Sequence, residues 1–234
     1  MQTPRERARE RTMTEIHNLA WRQVEQEGAA AVSLRGIARE LGIVSSAIYR
    51  YVASRDDLLT ALLVEGFSDL ADAVERAEAA VPRDDYRERW LTACRAMRAW
   101  ALARPAAWGL LYGGPVPGYS APQQTTSLPG ARVLLCQGAV LVEAQLAGKL
   151  RPAAGSGGST LEPPAQLRAE LEAAAASFQL EIDAELVALG ILGWTISIAV
   201  ISMEVFEHLG PDAVRARDQL AELQFATAAD ALGL

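Results

Sequence analysis

The sequence predicts an all-α fold, in which a three-helix helix-turn-helix domain is followed by a helical bundle. Apolar residues recur every three or four positions through most of the 234 residues, which is the period of an amphipathic helix. Glycine and proline divide these periodic stretches into helical lengths. Half of the residues are hydrophobic, so a chain of this length can bury a sizeable core.

The first predicted helix spans residues 4–27 and ends at Gly28. Arginine and glutamate fill one face, and the other face is apolar. The residues of this apolar face are Met13, Ile16, Ala20 and Val24. We expect it to pack over the two helices that follow, so that the three helices form one unit.

Residues 33–51 predict two short helices separated by a tight turn. Ser33 is placed to cap the first helix, and Gly42 can take the positive φ that a helix end often needs. Ser45 or Ser46 is placed to cap the second helix. The apolar positions of the first helix lie three and four apart, at Leu34, Ile37, Ala38 and Leu41. Helix, glycine turn and helix are the outline of a helix-turn-helix, whose second helix enters the major groove of DNA.

Residues 32–59 resemble the DNA-binding domain of the TetR family of bacterial transcriptional repressors. The order of features is kept, including Tyr49-Arg50-Tyr51 and the Ser54-Arg55-Asp56-Asp57-Leu58 that opens the next helix. Two positions depart from the family pattern. Ala47 stands where the family often has Thr, and Gly36 where it often has Asp. The resemblance implies a DNA-binding regulator, but the family's contacts at these two positions are not carried over.

The expected DNA contacts divide into base readers and phosphate contacts. Arginine is the usual bidentate partner of guanine, so Arg35 is expected to read bases together with two serines. The others are expected mainly at phosphates, although the spacing of Tyr51 also fits a core position. A single short helix reads few bases, so we expect a homodimer on a palindromic operator, with major grooves roughly 34–36 Å apart or somewhat more. The expected DNA-binding residues are Ser33, Arg35, Ser45, Ser46, Tyr49, Arg50, Tyr51 and Arg55.

Charge is distributed unevenly along the chain. The net charge is −7, whereas residues 1–60 hold nine arginines and eight acids, a net of +1. Four of these arginines lie near the N-terminus, interleaved with Glu6 and Glu10. They are Arg5, Arg7, Arg9 and Arg11. They form either a basic arm that pairs with phosphates or a solvated helix start, and the sequence leaves both open.

The next predicted helix runs from Ser54 to about Ala80, where Pro82 stops it. Ser54 and Asp57 have the spacing of a capping box. The helix is too long for the DNA-binding unit alone, so a shift at its far end could re-aim that unit. We therefore expect a DNA-binding domain at 1–53 and a ligand-binding and dimerisation domain at 54–234, with 54–80 as the connecting helix.

Further helices are predicted beyond residue 80, separated by two loops. The loops, at 113–130 and 151–164, are rich in glycine and proline. The predicted helices are 84–103, 105–112, 131–150, 166–178, 184–209 and 212–232.

Aromatic residues gather near the first of these loops. Such residues beside a loop suit a mostly apolar small-molecule pocket, although each taken singly also fits a helical core. Residues 103–112 and 194–209 resemble the C-terminal domain of one TetR subgroup, and the family resemblance implies an inducer bound in this region. That subgroup commonly has His and Gly where Ile198 and Ala199 stand, so its polar ligand contact is not carried over. The expected ligand-binding residues are Trp90, Cys94, Met97, Trp100, Trp108, Tyr112, Tyr119 and Trp194.

Residues 186–203 carry no charge and reach the ~18-residue length of a membrane-spanning helix. Acids flank both ends and no lysine or arginine anchors either side, so a subunit interface explains the stretch better. The small residues Gly190, Gly193 and Ser197 would allow close helix approach there. We expect a homodimer through 184–209 and 212–232, and a structural pair between Glu204 and His208.

The remaining residue types argue against an enzyme. Two distant histidines, and Cys94 and Cys136 in apolar helical patterns, give no metal-ligand spacing and no catalytic set. We expect no metal, no cofactor and a cytoplasmic location. The expected function is a repressor released by a small apolar or amphipathic ligand. The alternatives are an activator of the same fold and a helical ligand-binding module without DNA binding.

Overall fold

The structure is a computed structural model that describes residues 3–151, 162–210 and 212–234. Within these ranges the chain is all-helical, as the sequence predicts. It divides into two compact units. The first comprises Met1–Asp69 and Arg104–Gly130, and the second comprises Leu70–Ala103 and Ala131–Leu234. The first unit therefore takes in more of the chain than residues 1–53, and the predicted domain boundary stays a prediction.

Two helices contribute to both units, and the others belong to one. The first unit holds α1 (Pro4–Glu27), a short 3₁₀ helix (Ala29–Ala31), α2 (Leu34–Glu40), α3 (Ser45–Ile48) and α6 (Pro105–Tyr112). The second holds α5 (Tyr86–Ala103), α8 (Ala165–Ser177), α9 (Ala184–Val205) and α10 (Arg217–Leu232). The shared helices are α4 (Arg55–Ala79) and α7 (Gln123–Leu146).

The core of the first unit confirms the packing predicted for α1. Ile16 and Ala20 of α1 are fully buried, and they belong to one apolar cluster with Ile37 of α2 and Ile48 of α3. The cluster continues into α4 through Leu58, Leu59 and Leu62. With seven and four residues, α2 and α3 are too short to be stable alone in water, so this shared apolar surface holds the unit together.

The predicted caps are confirmed in part. Ser33 Oγ accepts a hydrogen bond from the N–H of Gly36 at 3.3 Å, and Gly42 has φ +68°. The cap predicted for α3 is wrong: Val44 is its N-cap, and no described side chain caps it. Ser45 and Ser46 lie inside the first turn instead, because the extended backbone is at Val44.

The predicted loop at 113–130 is wrong over its last part, because α7 already begins at Gln123. Pro129 therefore lies inside this helix. A proline in a helix removes one backbone hydrogen bond and costs about 3 kcal/mol, but the long apolar stretch that follows keeps α7 helical. Of the second predicted loop, residues 152–161 lie outside the described part of the chain.

The last two helices are shorter than predicted. α9 ends at Val205, and Glu207 has φ +53°, which is incompatible with a continuing right-handed helix. The predicted pair of Glu204 with His208 is also wrong. Glu204 instead accepts two hydrogen bonds from Arg98, at 2.6 and 2.7 Å, while His208 lies beyond the end of the helix.

A buried arginine links three segments of the second unit. Arg89 of α5 is fully buried and donates from Nε to Glu78 at 2.6 Å and from Nη1 to Glu143 at 2.7 Å. It also donates to the carbonyl of Arg83 at 2.9 Å. The hydrogen bond from Arg89 is the main reason that the pKa of Glu143 lies below its usual value of 4.5. The cluster joins α4, α5 and α7 within this unit.

Replacing Arg89 by alanine is expected to lower the free energy of unfolding by about 2–3 kcal/mol, because the buried Glu78 would keep only its ion pair with the exposed Arg83. Urea denaturation measures this change. Arg76→Ala, at an exposed arginine of α4, is the control and should change stability by less than about 0.5 kcal/mol. The pKa of Glu143 is lower in the folded protein than in the unfolded chain. The ionised Glu143 therefore contributes fully to the free energy of unfolding above about pH 4.5, and this contribution is lost as the pH falls further. An equal effect of the two substitutions would contradict the account.

Candidate nucleic-acid interface

The turn between α2 and α3 fixes the direction of α3. The N–H of Gly42 donates to the carbonyl of Arg39 at 3.2 Å, and that of Ile43 donates to Ala38 at 3.0 Å. The positive φ of Gly42 lets the chain reverse there without a steric penalty. Ile48 points into the core and is fully buried. The opposite side of α3 therefore faces outward.

The outward surface of α3 and the residues beside it offer hydroxyl groups and one cation. Ser45 and Ser46 are exposed, and among the described residues their hydroxyls are used by no cap. Tyr49 is half exposed and Val44 is 72% exposed, large fractions for such residues in a folded domain. Arg50 is exposed beside them. This is the composition of a surface that binds phosphates and reads base edges.

Most arginines of this region have no carboxylate partner. Arg22 pairs with Glu40 at 3.3 Å and Arg55 lies 3.8 Å from Asp56. Among the described residues, no carboxylate lies within ion-pair distance of the following exposed arginines: Arg5, Arg7, Arg9, Arg11, Arg35, Arg39 and Arg50. By contrast, Arg89, Arg95 and Arg98 of α5 each bond to two carboxylates. The unpaired cations of the first unit can neutralise a polyanion.

Ser33 has a structural role within the chain that does not require DNA binding. Its hydroxyl caps α2, and its N–H donates to Oε1 of the buried Gln23 at 2.9 Å. A Cβ at Gly36 would lie 2.9 Å from Nε2 of the same glutamine. A larger residue at position 36 would displace this amide, which is a physical reason for glycine there.

Tyr51 lies between the core and the surface. It is partly buried against the apolar cluster, and the guanidinium carbon of Arg9 lies 5.6 Å from the centre of its ring. This is the distance of a cation–π contact. Both interpretations of Tyr51 therefore keep support, since one part of the ring packs inward while a cation lies over it.

Arg55 binds the backbone that leads into α2. Its Nε donates to the carbonyl of Val32 at 3.0 Å, and Nη2 donates to Ala29 and Ala30 at 3.3 and 2.9 Å. These carbonyls lie in the 3₁₀ helix and at its end, where carbonyl groups run out of backbone donors; that of Ala29 also accepts the N–H of Val32 at 3.4 Å. The contacts give Arg55 a positioning role. Its predicted phosphate contact stays a prediction.

The predicted ligand-binding residues fall into both units. In the first, the rings of Trp108 and Tyr112 are 4.5 Å apart, and the hydroxyl of Tyr119 lies 2.9 Å from that of Thr60. In the second, α5 carries four, which are Trp90, Cys94, Met97 and Trp100, all buried. Trp194 lies on α9. Three of the eight predicted ligand-binding residues thus belong to the first unit and five to the second.

A buried polar cluster in the second unit contains Gln137, which the sequence analysis did not single out, and Ser197, which it assigned to a subunit interface. Gln137 Nε2 of α7 donates to Ser197 Oγ of α9 at 3.2 Å and lies 3.4 Å from Cys94 Sγ of α5. Burial raises the pKa of the Cys94 thiol to about 12, so it remains protonated. Within the described residues, Gln137 Oε1 and Trp90 Nε1 are buried without a partner. The signal in the sequence was a glutamine inside an otherwise apolar helical stretch.

The described residues contain no group of three or more histidine, cysteine or acidic side chains that could hold a metal ion.

Two family models match this chain. Residues 16–62 match the model of bacterial regulatory proteins of the tetR family, and residues 90–228 match that of the tetracyclin repressor-like C-terminal domain. The second match alone covers more than half of the chain. This protein therefore belongs to the TetR family.

Individual relatives agree with the family. The HTH-type transcriptional regulators Rv1816 of Mycobacterium tuberculosis and Mb1846 of Mycobacterium bovis are each 40% identical over 205 residues, covering 88% of this chain and 85% of theirs. The solved structure of regulatory protein SCO4313 has a TM-score of 0.74 and 28% identity, covering 97% of this chain and 98% of its own. PfmR, a TetR family regulator from Thermus thermophilus, shares the fold, with a TM-score of 0.59 and 16% identity over 93% of this chain and 98% of its own.

The protein is accordingly a transcriptional regulator with a DNA-binding helix-turn-helix, and this role is not enzymatic. The predicted fold class, the family and the absence of an enzymatic role are confirmed. The individual DNA-binding and ligand-binding residues stay predictions.

Two neighbouring arginines should respond differently to alanine substitution. Arg55→Ala removes three hydrogen bonds to backbone carbonyls and should lower the free energy of unfolding by about 1.5–3 kcal/mol. Arg50→Ala removes an exposed cation and should change it by less than about 0.5 kcal/mol. Urea denaturation gives the stabilities. On DNA, Arg50→Ala should weaken binding to all sequences alike. A stability loss that is the same for both would contradict the positioning role.

Proposed function

We propose that this protein is a transcriptional repressor that binds a palindromic operator as a homodimer and is released by a small apolar or amphipathic ligand. The observation that supports DNA binding most directly is the surface of α3. There, Ser45, Ser46 and Tyr49 are exposed, and among the described residues no carboxylate pairs with the guanidinium of Arg50. A repressor acting on DNA would work in the cytoplasm.

The dimer is supported by an uncovered apolar surface on the last two helices. Among the described helices, α9 alone is long and apolar enough to cross a membrane. Its most apolar 18-residue segment has a mean hydropathy of 2.2, yet only 28% of that segment is buried in the chain. Ile191, Leu192 and Met203 of α9 and Leu223 of α10 are exposed. Burying such a surface against the same surface of a second copy would remove it from water.

The small residues of α9 do not belong to this uncovered surface. A Cβ at Gly193 would lie 2.9 Å from Leu232 and 3.4 Å from Trp90 of the same chain. Ser197 is fully buried in the polar cluster with Cys94 and Gln137. The dimer contact expected at these positions is therefore corrected: they allow close packing within the second unit. The larger apolar residues remain for the partner subunit.

The symmetry of the dimer sets the form of the operator. α3 has only four residues, so one copy reads a few bases. Two copies related by a two-fold axis would present α3 to major grooves on one side of the duplex, roughly 34–36 Å apart or somewhat more. The half-sites would then be inverted repeats. Occupying a promoter in this way blocks its use by steric exclusion.

Ligand release is supported by the polar cluster of the second unit. Gln137 Oε1 and Trp90 Nε1 are an acceptor and a donor buried in apolar surroundings, and burying such atoms unpaired costs roughly 1–3 kcal/mol each. The polar group of an amphipathic ligand that reached these two atoms would satisfy them. Because the cluster joins α5, α7 and α9, such a ligand would change their packing, and a dimer spacing unfit for the operator would follow.

The test is binding of the purified protein to DNA flanking its own gene, with and without a panel of amphipathic compounds. We expect salt-sensitive binding to a palindrome that one compound weakens at least tenfold. Gln137→Leu should bind the same DNA as the wild type but respond less to the compound. Failure of a folded dimer to bind this DNA or a random operator library would contradict the proposal. A normal response of Gln137→Leu would place the ligand elsewhere.

Charge placed on the proposed dimer surface should separate the subunits. Leu223 is 65% exposed, and Leu223→Asp should raise the dimer dissociation constant about tenfold or more, since a carboxylate would be buried in an apolar contact. Sedimentation equilibrium measures this constant. Leu146→Asp on α7, where the leucine is 83% exposed, is the matched control. An unchanged dimer with Leu223→Asp, or equal effects of both, would contradict this interface.

A further inference from the structure

The first two turns of α1 carry arginines on two opposite faces. An α-helix advances about 100° per residue. Arg5 and Arg9 are four residues apart, and the same stripe continues through Met13, Ile16 and Ala20. Ile16 and Ala20 are buried in the core of the first unit. Arg5 and Arg9 therefore extend the core-facing stripe of α1 beyond the end of the core.

Arg7 and Arg11 lie on the other side of the same two turns, about 200° away from Arg5 and Arg9 respectively. The Nε of Arg11 donates to the carbonyl of Arg7 at 3.3 Å, so this side chain lies along its own helix. The two pairs have the same composition, spacing and exposure, and they differ in the face they occupy.

The stripe of Arg5 and Arg9 leads to Tyr51, three residues after the end of α3. The guanidinium carbon of Arg9 lies 5.6 Å from the ring centre of Tyr51. Tyr51 follows directly after the exposed Tyr49 and Arg50. The ring holds the Arg9 cation beside these residues, which reduces the entropy that Arg9 would lose on binding a ligand.

Nearby acids do not neutralise this stripe. The carboxylate of Glu6 accepts the backbone N–H of Thr3 at 2.7 Å and completes the capping box of α1. Within the described residues no carboxylate lies within ion-pair distance of Arg5 or Arg9. Two uncompensated guanidinium groups one turn apart, one of them over the ring of Tyr51, fit the repeated phosphates of a nucleic-acid backbone.

We propose that Arg5 and Arg9 form a second phosphate-binding edge, which extends the contact of α3 along the DNA backbone, and that Arg7 and Arg11 do not take part. This rests on the DNA binding proposed above. The edge adds affinity for DNA of any sequence and no base preference, because phosphates carry no sequence information.

The salt dependence of DNA binding tests this edge. A plot of log affinity against log salt concentration has a negative slope. The magnitude of this slope should decrease by about 0.9 for each phosphate that the protein no longer neutralises. In a dimer, Arg5→Ala/Arg9→Ala should free at least one phosphate per subunit and therefore reduce the slope by about 1.8 or more. Operator and random duplex DNA should lose affinity by the same factor. Arg5→Lys/Arg9→Lys keeps the charges and should retain most of the slope.

Arg7→Ala/Arg11→Ala is the matched control, because it removes the same net charge from the same two turns. Its slope should stay close to that of the wild type. Equal reductions by both alanine pairs would overturn the inference and indicate a general effect of net charge. An unchanged slope with Arg5→Ala/Arg9→Ala would overturn it as well. Absence of DNA binding by the wild-type protein would overturn the proposed function together with this edge, whereas the two preceding outcomes leave the proposed function intact.

Discussion

The recognition surface depends on the apolar contact between α3 and the helices beneath it. α3 has four residues, a length at which a helix does not persist alone in water. Ile48 anchors it in a core shared with Ile16 of α1, Ile37 of α2 and Leu58 of α4. The Gly42 turn fixes where α3 begins, and Arg55 fixes the backbone that enters α2. Everything that α3 presents to DNA is positioned by these contacts.

Charge serves opposite purposes in the two units. The buried Arg89 joins α4, α5 and α7 of the second unit through Glu78 and Glu143, and Arg98 joins α5 to α9 through Glu204. These arginines are paired with carboxylates inside the unit and stabilise its fold. On the first unit the arginines near α3 are left without carboxylate partners among the described residues, so their charge is available to a partner. The overall charge of −7 hides this division.

The sequence predicted the elements whose signals are local. The bounds of α1 and α6, the cap at Ser33 and the turn at Gly42 depend on a few neighbouring residues, and all are confirmed. The predicted start of α7 was wrong. The many glycines and prolines of residues 113–130 predicted a loop, whereas α7 begins at Gln123 and includes Pro129. The roles of Arg55, Gln137 and Ser197 depend on residues distant in the chain, which periodicity cannot supply. The sequence predicted close packing at Gly193. Only the fold shows that this glycine faces Trp90 of the same chain and not a partner subunit.

The most direct test of the account is hydroxyl-radical footprinting of the protein on its operator. A dimer that presents two copies of α3 predicts two protected backbone segments on one side of the duplex, related by a two-fold axis and about one helical turn or somewhat more apart. One protected segment, or uniform protection without symmetry, would contradict the paired reading of DNA by α3.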